Sequence, residues 1–315
     1  MKVVEHLERA DQPLISFEII PPLRGGTLQK LLDLIDVLKD WNPPFIDITS
    51  HAAEATYEET RTGIVRRVKR KRPGTLGVCA LIQNKYNIDA VPHVLCQGFS
   101  REETEDFLIE LRYLGIDNVL AIRGDDSGYT KPLGDGRSAN AHACDLVQQV
   151  TDMNSGSYLD DSLLNTDPTN FCVGVAGYPE KHFEAPNIDS DVRYAKAKVD
   201  AGAEYIVTQM FFDNAVYFDY VERCRAAGIE VPIIPGLKIL TLKKHLTSLP
   251  RVFSINIPNA LSEEVERADP KSVVDIGVEW ALAQTRELME HDVPSVHFYI
   301  MSSTQAIKRL MKQLR

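Results

Sequence analysis

Short β-branched runs alternate with longer amphipathic segments along the whole chain of 315 residues. Apolar side chains recur with a period near two in a strand and near 3.6 in a helix, so the two kinds of segment can be told apart. The short runs predict strands near residues 14–20, 45–50, 75–82, 118–123, 171–177, 204–210, 231–236 and 295–301. The longer segments predict helices near residues 27–40, 55–71, 101–114, 139–151, 190–201, 214–227, 271–290 and 304–314.

Eight strands that alternate with helices favour an α/β fold, a (β/α)8 TIM barrel. An open, doubly wound sheet is the alternative, because a strand count does not prove closure. Gly115, Gly202 and Gly228 are each expected to end a helix just before the next strand. No Pro-, Gly- or Ser-rich linker divides the sequence, so we expect residues 1–315 to form a single domain.

Two stretches do not fit the alternation. Residues 152–170 are polar and rich in turn formers, and residues 250–270 are irregular, so both are expected to be loop insertions. Gly134–Ala139 fits the pattern G-x-G-x-x-A, but it lies in a polar loop far from the preceding strand. We therefore interpret it as a turn and not as a dinucleotide-binding loop.

Composition narrows the class of partner. The net charge of −10 argues against nucleic acid or an anionic membrane as a general partner. The basic segment Arg66–Arg72 is an exception, which a solvated helix end explains and for which a phosphate-binding surface is the alternative. The N-terminus lacks the apolar core of a signal peptide, and no apolar run approaches the ~20 residues needed to span a bilayer. We expect a cytoplasmic protein.

Cysteine and histidine spacings give no sign of a metal. The five cysteines are widely spaced and never form C-x-x-C, and the histidines show neither H-x-H nor H-E-x-x-H. We therefore expect reduced thiols and no metal site.

Glu18 is the one charged residue in an otherwise apolar predicted strand, residues 14–20, which Pro21 and Pro22 terminate. A carboxylate in such surroundings is unfavourable unless it is paired or has a raised pKa. A carboxylic acid that keeps its proton at the end of a strand suits a general acid. A salt bridge at the edge of the sheet is the structural alternative.

In a TIM barrel, functional residues gather at the C-terminal ends of the strands. Polar or ionisable side chains occupy many of these ends here, and His93 lies in the predicted third connection. Structural roles as caps or loop residues remain open for Thr49, His93 and Asp125 individually. The residues on this rim are Glu18, Thr49, Arg123, Gly124, Asp125, Tyr178, His182, Gln209 and Tyr299.

These residues, in this order, resemble the methylenetetrahydrofolate reductase family. The resemblance extends over nearly the whole chain and is most specific at F-E-x-x-P-P, R-G-D and T-Q-x-F-F-D. The matching segments are Phe17–Pro22, Val91–His93, Ala121–Asp125, Ala176–His182, Lys198–Ala203, Thr208–Asp213, Ile234–Gly236 and His297–Tyr299. The length resembles the bacterial type, which lacks the regulatory domain of eukaryotic members.

The resemblance implies a flavin-containing TIM barrel that reduces 5,10-methylenetetrahydrofolate to 5-methyltetrahydrofolate with NAD(P)H, which feeds methionine synthesis. It implies FAD as the cofactor, ping-pong hydride transfer through the flavin, and a homo-oligomer. Another electrophilic substrate and a catalytically idle folate-binding protein are the alternative functions. The sequence leaves open whether NADH, NADPH or a protein is the electron donor.

Residue roles follow from the same resemblance. Glu18 matches the general acid, and Asp125 matches a carboxylate near the flavin and the pterin. Gln209 and Tyr299 match folate contacts. The FAD-binding positions are matched by Thr49, Ser50, His93, Arg123, Gly124, Asp125, Ala143, Tyr178, His182, Ala185, Asp191, Tyr194, Ala197 and Lys198. His245, Leu249 and Ser303 depart from the family, since some members carry Gln, an aromatic residue and Arg at these positions.

Overall fold

Nine parallel strand segments form one sheet in this computed structural model, which describes residues 1–125, 128–301 and 304–314, with only the backbone of Met301. The sheet order is β10-β11-β1-β2-β5-β6-β7-β8-β9, and β3 and β4 form a separate antiparallel hairpin. The strands are β1 (Leu14–Ile19), β2 (Phe45–Ile48), β3 (Glu54–Thr60), β4 (Gly63–Lys69), β5 (Asp89–Leu95), β6 (Asn118–Ile122), β7 (Cys172–Gly177), β8 (Tyr205–Thr208), β9 (Ile233–Ile234), β10 (Gly236–Leu237) and β11 (Ser295–Met301).

Only Pro235 separates β9 from β10, which stand at opposite ends of the sheet order. The two ends of the sheet are therefore adjacent in the chain, and the sheet curves into a nearly closed barrel with eight strand positions. Proline has no N–H to give to the ladder, which explains the break. The Pro235 carbonyl still accepts a hydrogen bond from His297 N at 2.9 Å. The predicted (β/α)8 TIM barrel is confirmed.

Helices surround the sheet and bury the outward side chains of the strands. Phe17 and Ile19 of β1 pack with Leu31 and Ile35 in the main apolar layer between strands and helices. The helices are α1 (Val3–Arg9), α2 (Leu28–Leu38), α3 (Leu76–Leu81), α4 (Arg101–Tyr113), α5 (Ala143–Asn154), α6 (Ile188–Asp200), α7 (Asn214–Ala226), α8 (His245–Phe253), α9 (Asn259–Arg267), α10 (Val273–Glu290) and α11 (Gln305–Leu314).

The barrel interior is apolar towards the N-terminal ends of the strands and polar above. Phe45, Val91, Leu120 and Tyr205 fill the apolar part, and α1 packs against them through Val3. Ser16, Asp47, His93 and His297, which are all buried, form the polar part. The polar side chains of the interior therefore lie beneath the C-terminal rim, above a closely packed apolar base.

Two predicted elements are wrong. Residues 55–71 were expected to form a helix but form the β3–β4 hairpin, whose basic residues pair across the strands, as in the 2.7 Å contacts of Glu58 with Arg67 and Lys69. Residues 75–82 were expected to form a strand, yet they form α3, and the third barrel strand is β5. His93 consequently lies within β5 and not in a connection.

The connections differ from expectation in part. Residues 250–270 contain the end of α8 and the whole of α9, whereas residues 155–171 contain no helix or strand. Gly134 and Arg137 are joined by a backbone hydrogen bond of 3.2 Å, so the G-x-G-x-x-A segment does contain a turn. Within the described ranges, no helix is both long and apolar enough to span a membrane.

Candidate active site at the C-terminal rim

Glu18 lies at the end of β1, between two strands that place their own polar side chains beside it. Its register partner on β2 is Asp47, and its partner on β11 is Tyr299. Because side chains alternate along a strand, Ser16 and Glu18 face the barrel interior while Phe17 and Ile19 face the helices. Alternation along β1 therefore places Glu18 inside the barrel mouth.

The His93 ring lies between the two carboxyl groups. Its Nε2 is 3.4 Å from Glu18 Oε2 and 3.8 Å from Asp47 Oδ2. The side chains of Glu18, His93 and Asp47 are 12%, 5% and 1% exposed, so Glu18 is the one nearest to solvent. An entering substrate would reach Glu18 first.

Burial is the main cause of a strongly perturbed Glu18 carboxyl group. It raises the pKa of Glu18 from 4.5 to about 7, because a buried carboxylate loses its hydration. The charges of His93 and Lys238 lower this pKa, and those of Asp47 and Asp125 raise it. A large fraction of Glu18 is therefore protonated at neutral pH, which a general acid requires.

A second set of polar groups lies below Glu18. Ser16 Oγ and His297 Nδ1 are 2.8 Å apart, and both side chains are fully buried. Burial lowers the pKa of His297, while the charge of Asp47 raises it. Burial also raises the pKa of Asp47 to about 6, and the charge of His297 lowers it.

Lys238 and Tyr299 complete the wall on the other side of Glu18. Lys238 Nζ donates to the Tyr299 carbonyl at 2.8 Å, and the Tyr299 hydroxyl donates to the Thr208 carbonyl at 2.6 Å. Burial lowers the pKa of Lys238 to about 8, and the charge of Glu18 raises it. Tyr299 is thus held at both ends, with its ring at the mouth of the barrel.

A cavity of about 340 Å³ opens beside this mouth, between the ends of β6 and β7 and the helices α5 and α6. It brings together many of the residues predicted to bind FAD. From that set it is lined by Arg123, Ala143, Tyr178, His182, Ala185, Asp191, Tyr194, Ala197 and Lys198. His142, Cys144 and Glu184 also line it and were not predicted from the sequence.

Two cations and two rings give this cavity its chemistry. Lys198 Nζ lies 5.8 Å from the centre of the Tyr178 ring, which contacts the His182 ring edge-on at 4.7 Å. Burial lowers the pKa of Lys198, and the charge of Asp191 raises it. Arg123 forms an ion pair with Glu184 on the cavity wall. Cations that neutralise a diphosphate and rings that contact a heterocycle fit a dinucleotide such as FAD.

The remaining predicted residues lie around the same rim. Thr49 N donates to the Ile19 carbonyl at 3.1 Å, so Thr49 ties β2 to β1. Ser50 and His93 line a separate cavity of about 210 Å³. Asp125 is exposed, yet its charge influences the pKa of both Glu18 and Tyr178.

Gln209 follows β8, where its N donates to the Gly177 carbonyl at 2.8 Å and its Oε1 accepts from Met210 N at 3.0 Å. Gly124 has a φ of +92°, which favours glycine directly after Arg123.

The positions that depart from the family pattern are structurally distinct. Leu249 is buried in a small apolar cluster with Met210 and Phe212, against which Tyr299 also packs. His245 begins α8, and burial lowers its pKa to about 4. Ser303 lies outside the described residues.

Asp47 and Lys238 were missed from the sequence. Asp47 shows the same signal as Glu18, because it is the single carboxylate in the apolar strand Phe45–Ile48. Lys238 directly follows β10. Had the short strands β9 and β10 been predicted from the sequence, the position of Lys238 at a strand end would have marked it as a candidate site residue.

Comparison with known proteins places the chain in a family. The sequence profile described as methylenetetrahydrofolate reductase matches residues 2–315. The chain belongs to the methylenetetrahydrofolate reductase family. It is 30% identical to methylenetetrahydrofolate reductase 1 of Schizosaccharomyces pombe, over 98% of this chain and 47% of that protein. It is 29% identical to the 5,10-methylenetetrahydrofolate reductase of Salmonella typhimurium, over 92% of this chain and 87% of that protein.

The chain spans about half the length of the eukaryotic reductases it matches. Among solved structures, it is similar to a Clostridium thermocellum protein described as binding two copies of 5-methyl-5,6,7,8-tetrahydrofolic acid. That similarity has a TM-score of 0.61 at 15% identity and covers 99% of this chain and 98% of the other. At this identity the likeness concerns the reductase fold alone.

Proposed function

We propose that the protein reduces 5,10-methylenetetrahydrofolate to 5-methyltetrahydrofolate, with FAD as cofactor and NAD(P)H as the source of hydride. The observation that carries the proposal is Glu18, whose pKa burial raises to about 7 at the mouth of a barrel of this family. The methyl group of the product is of the kind that methionine synthesis consumes.

The reaction needs an acid at this place. The five-membered ring of 5,10-methylenetetrahydrofolate must open to a 5-iminium cation before its methylene carbon accepts hydride. Glu18 would donate its proton to N10, which makes that nitrogen a leaving group. Partial burial suits this task, because the carboxyl group keeps its proton at neutral pH and remains reachable from the barrel mouth.

The cavity between α5 and α6 would hold FAD. When bound there, FAD would supply the hydride-transfer chemistry that links NAD(P)H to the methylene carbon of the folate. Lys198 and Arg123 would neutralise the diphosphate, with Arg123 giving up or sharing its contact with Glu184. Tyr194 is 55% exposed at the edge of the cavity, where it could cover the cofactor.

Three residues around Glu18 would bind the folate. Asp125 is exposed near Glu18 and could accept hydrogen bonds from the pterin. Gln209 directly follows β8 and Tyr299 lies on β11 next to Glu18, and both would contact the folate. NAD(P)H and the folate would occupy this one mouth in turn, with Gln209 reachable by both, which is the basis for a ping-pong cycle.

The visible absorption spectrum of the purified protein tests this function. Oxidised FAD should give a yellow protein, NADH or NADPH should bleach it without oxygen, and 5,10-methylenetetrahydrofolate should restore the colour. Glu18→Gln provides the control, because it should bleach normally and recover slowly.

Each alternative gives a different spectrum. A colourless protein that binds folate would indicate an idle folate-binding protein. If NADH bleaches the flavin and the folate does not restore its colour, the substrate would be another electrophile. A flavin that neither nucleotide bleaches but a protein donor does would change only the source of hydride.

A further inference from the structure

Asp47 lies below Glu18 in the barrel and has no role in the proposed function so far. It is fully buried in the middle of β2, directly beside Glu18 of β1 in the strand register. Neighbouring strands run about 4.8 Å apart, so this register brings the two carboxyl groups onto the same inner surface of the barrel. Neither Asp47 oxygen has a hydrogen-bond partner among residues 1–125, 128–301 and 304–314.

A buried carboxylate with no donor is unfavourable for folding, because its hydration is lost without replacement. Apolar residues fill the neighbouring inward positions Phe45 and Val91, so the interior tolerates an apolar side chain. Stability therefore does not explain Asp47. Its position beneath the candidate general acid does offer an explanation.

We propose that Asp47 is a positioning residue for the reaction, whose negative charge beneath Glu18 keeps that carboxyl group in the proton-carrying form. Two carboxylates on adjacent strands in a poorly solvated interior cannot both ionise without strong repulsion. Burial raises the pKa of Glu18 to about 7 and that of Asp47 to about 6, where the charge of His297 opposes the rise. Of these adjacent carboxyl groups, Glu18 therefore holds the proton at neutral pH, and it is the one nearer to solvent and to an entering substrate. This inference rests on the proposed function for its catalytic meaning.

Several other charges act on Glu18 and set the direction of the effect. His93 and Lys238 favour its ionisation, while Asp47 and Asp125 oppose it. Burial lowers the pKa of His93 and therefore weakens its positive charge at neutral pH. Asp125 is exposed and screened by water, which leaves Asp47 as the buried negative group. The groups that face Glu18 are His93 on β5, Asp47 on β2, Tyr299 on β11, Lys238 after β10 and Asp125 after β6.

Infrared titration of the purified holoprotein tests the proposal without any folate. The carbonyl band of the protonated Glu18 side chain is identified as the band that Glu18→Gln removes. In the wild type this band should titrate with a midpoint of about 7. In Asp47→Asn the midpoint should fall by about one pH unit, because the nearby negative charge is gone.

A matched control removes a carboxylate at the other end of the barrel. Asp89 lies in β5 and binds the N-terminal ammonium group at 2.9 Å and His6 at 2.7 Å. Asp89→Asn should lower the thermal stability and leave the Glu18 midpoint unchanged. Asp47→Ser is a second neutral variant, for use where Asp47→Asn does not fold.

The infrared titration curve of the wild type also tests the proposal, without any substitution at Asp47. Two coupled carboxyl groups should titrate in a broadened curve with two linked steps. A single independent step, or an unchanged midpoint in the Asp47 variants, would overturn the proposal.

Kinetics separates this inference from the proposed function. The pH at which reoxidation by the folate falls to half should be lower in Asp47→Asn by the same amount, with bleaching by NADH unaffected. If the folate does not reoxidise the wild-type flavin, the proposed function fails and the infrared result still decides the role of Asp47.

Discussion

The phenol ring of Tyr299 fills the space in which a side chain on Gly236 would begin. A β-carbon at Gly236 would lie 2.7 Å from both Tyr299 Cε2 and the hydroxyl oxygen, and 2.2 Å from the Thr208 carbonyl oxygen. Real β-carbons essentially never come so close, so a larger residue must displace Tyr299 or the strand beside it.

Gly236→Ala should therefore weaken folate binding. A displacement of the Tyr299 ring by about 1 Å should lower kcat/KM for the folate on the order of 10- to 100-fold, with the FAD content unchanged. Steady-state kinetics and the flavin-to-protein ratio measure both effects. Gly77→Ala in α3 is the control, because open space surrounds that position and its activity should be normal. Normal kinetics in Gly236→Ala would separate Tyr299 from the folate site.

Glu18→Gln should slow one half-reaction only. Loss of the acid should reduce reoxidation of the flavin by 5,10-methylenetetrahydrofolate by ~10²–10⁴-fold, with reduction by NADH largely intact. Stopped-flow absorbance measures the two steps separately. Equal losses in both steps would contradict the assignment of Glu18 as the acid.

The same variant should stabilise the protein at neutral and alkaline pH. Between pH 4.5 and about 7 the unfolded chain releases the Glu18 proton while the native protein keeps it. The free energy of unfolding of the wild type therefore falls across this window, by up to about 3 kcal/mol, and falls no further above it. Glu18→Gln lacks this loss. Urea denaturation at pH 4 and pH 8 should show a gain for Glu18→Gln at pH 8 and none at pH 4.

Asp125→Asn should make the flavin easier to reduce. A carboxylate near the flavin pyrimidine opposes the negative charge of the reduced ring, and the exposure of Asp125 limits this effect through solvent screening. The midpoint potential should rise by tens of millivolts, and folate binding should weaken. A redox titration that gives an unchanged or lower potential would place Asp125 away from the flavin.

The proposed use of one barrel mouth by two substrates predicts a kinetic pattern. Double-reciprocal plots against NADH at several fixed folate concentrations should give parallel lines, because the oxidised nucleotide leaves before the folate binds. Each substrate should also inhibit competitively against the other at high concentration. Converging lines would indicate that both bind together.

The sequence predicts the barrel well where local and long-range signals agree. Gly115, Gly202 and Gly228 all have positive φ values and follow α4, α6 and α7, as their positions before strands suggested. The position of Glu18 near the C-terminal end of the first strand was also predicted. These features depend on residues that are close in the chain, so they can be predicted from a single sequence.

The errors arise where neighbours in space decide the structure. The segment that forms β3 and β4 carries enough charge to resemble a helix end, yet its charges are satisfied across the hairpin, as between Lys69 and Glu58. Pro92 made β5 hard to predict, because proline is unusual inside a strand. In the structure it is accommodated opposite Ile48 of β2. The role proposed for Asp47 depends on its register with Glu18, which no local pattern reveals.

The break in the barrel ladder at Pro235 has a consequence for Tyr299. Beyond Ile234, Gly236 N turns to the Thr208 hydroxyl at 2.9 Å, and the Thr208 carbonyl is left to accept the hydroxyl of Tyr299. In a fully regular barrel, that carbonyl would accept a backbone hydrogen bond from the neighbouring strand. The imperfect seam of the barrel is thus also the anchoring point of Tyr299, because a carbonyl left free of the sheet at the end of β8 accepts the hydroxyl of a ring on β11.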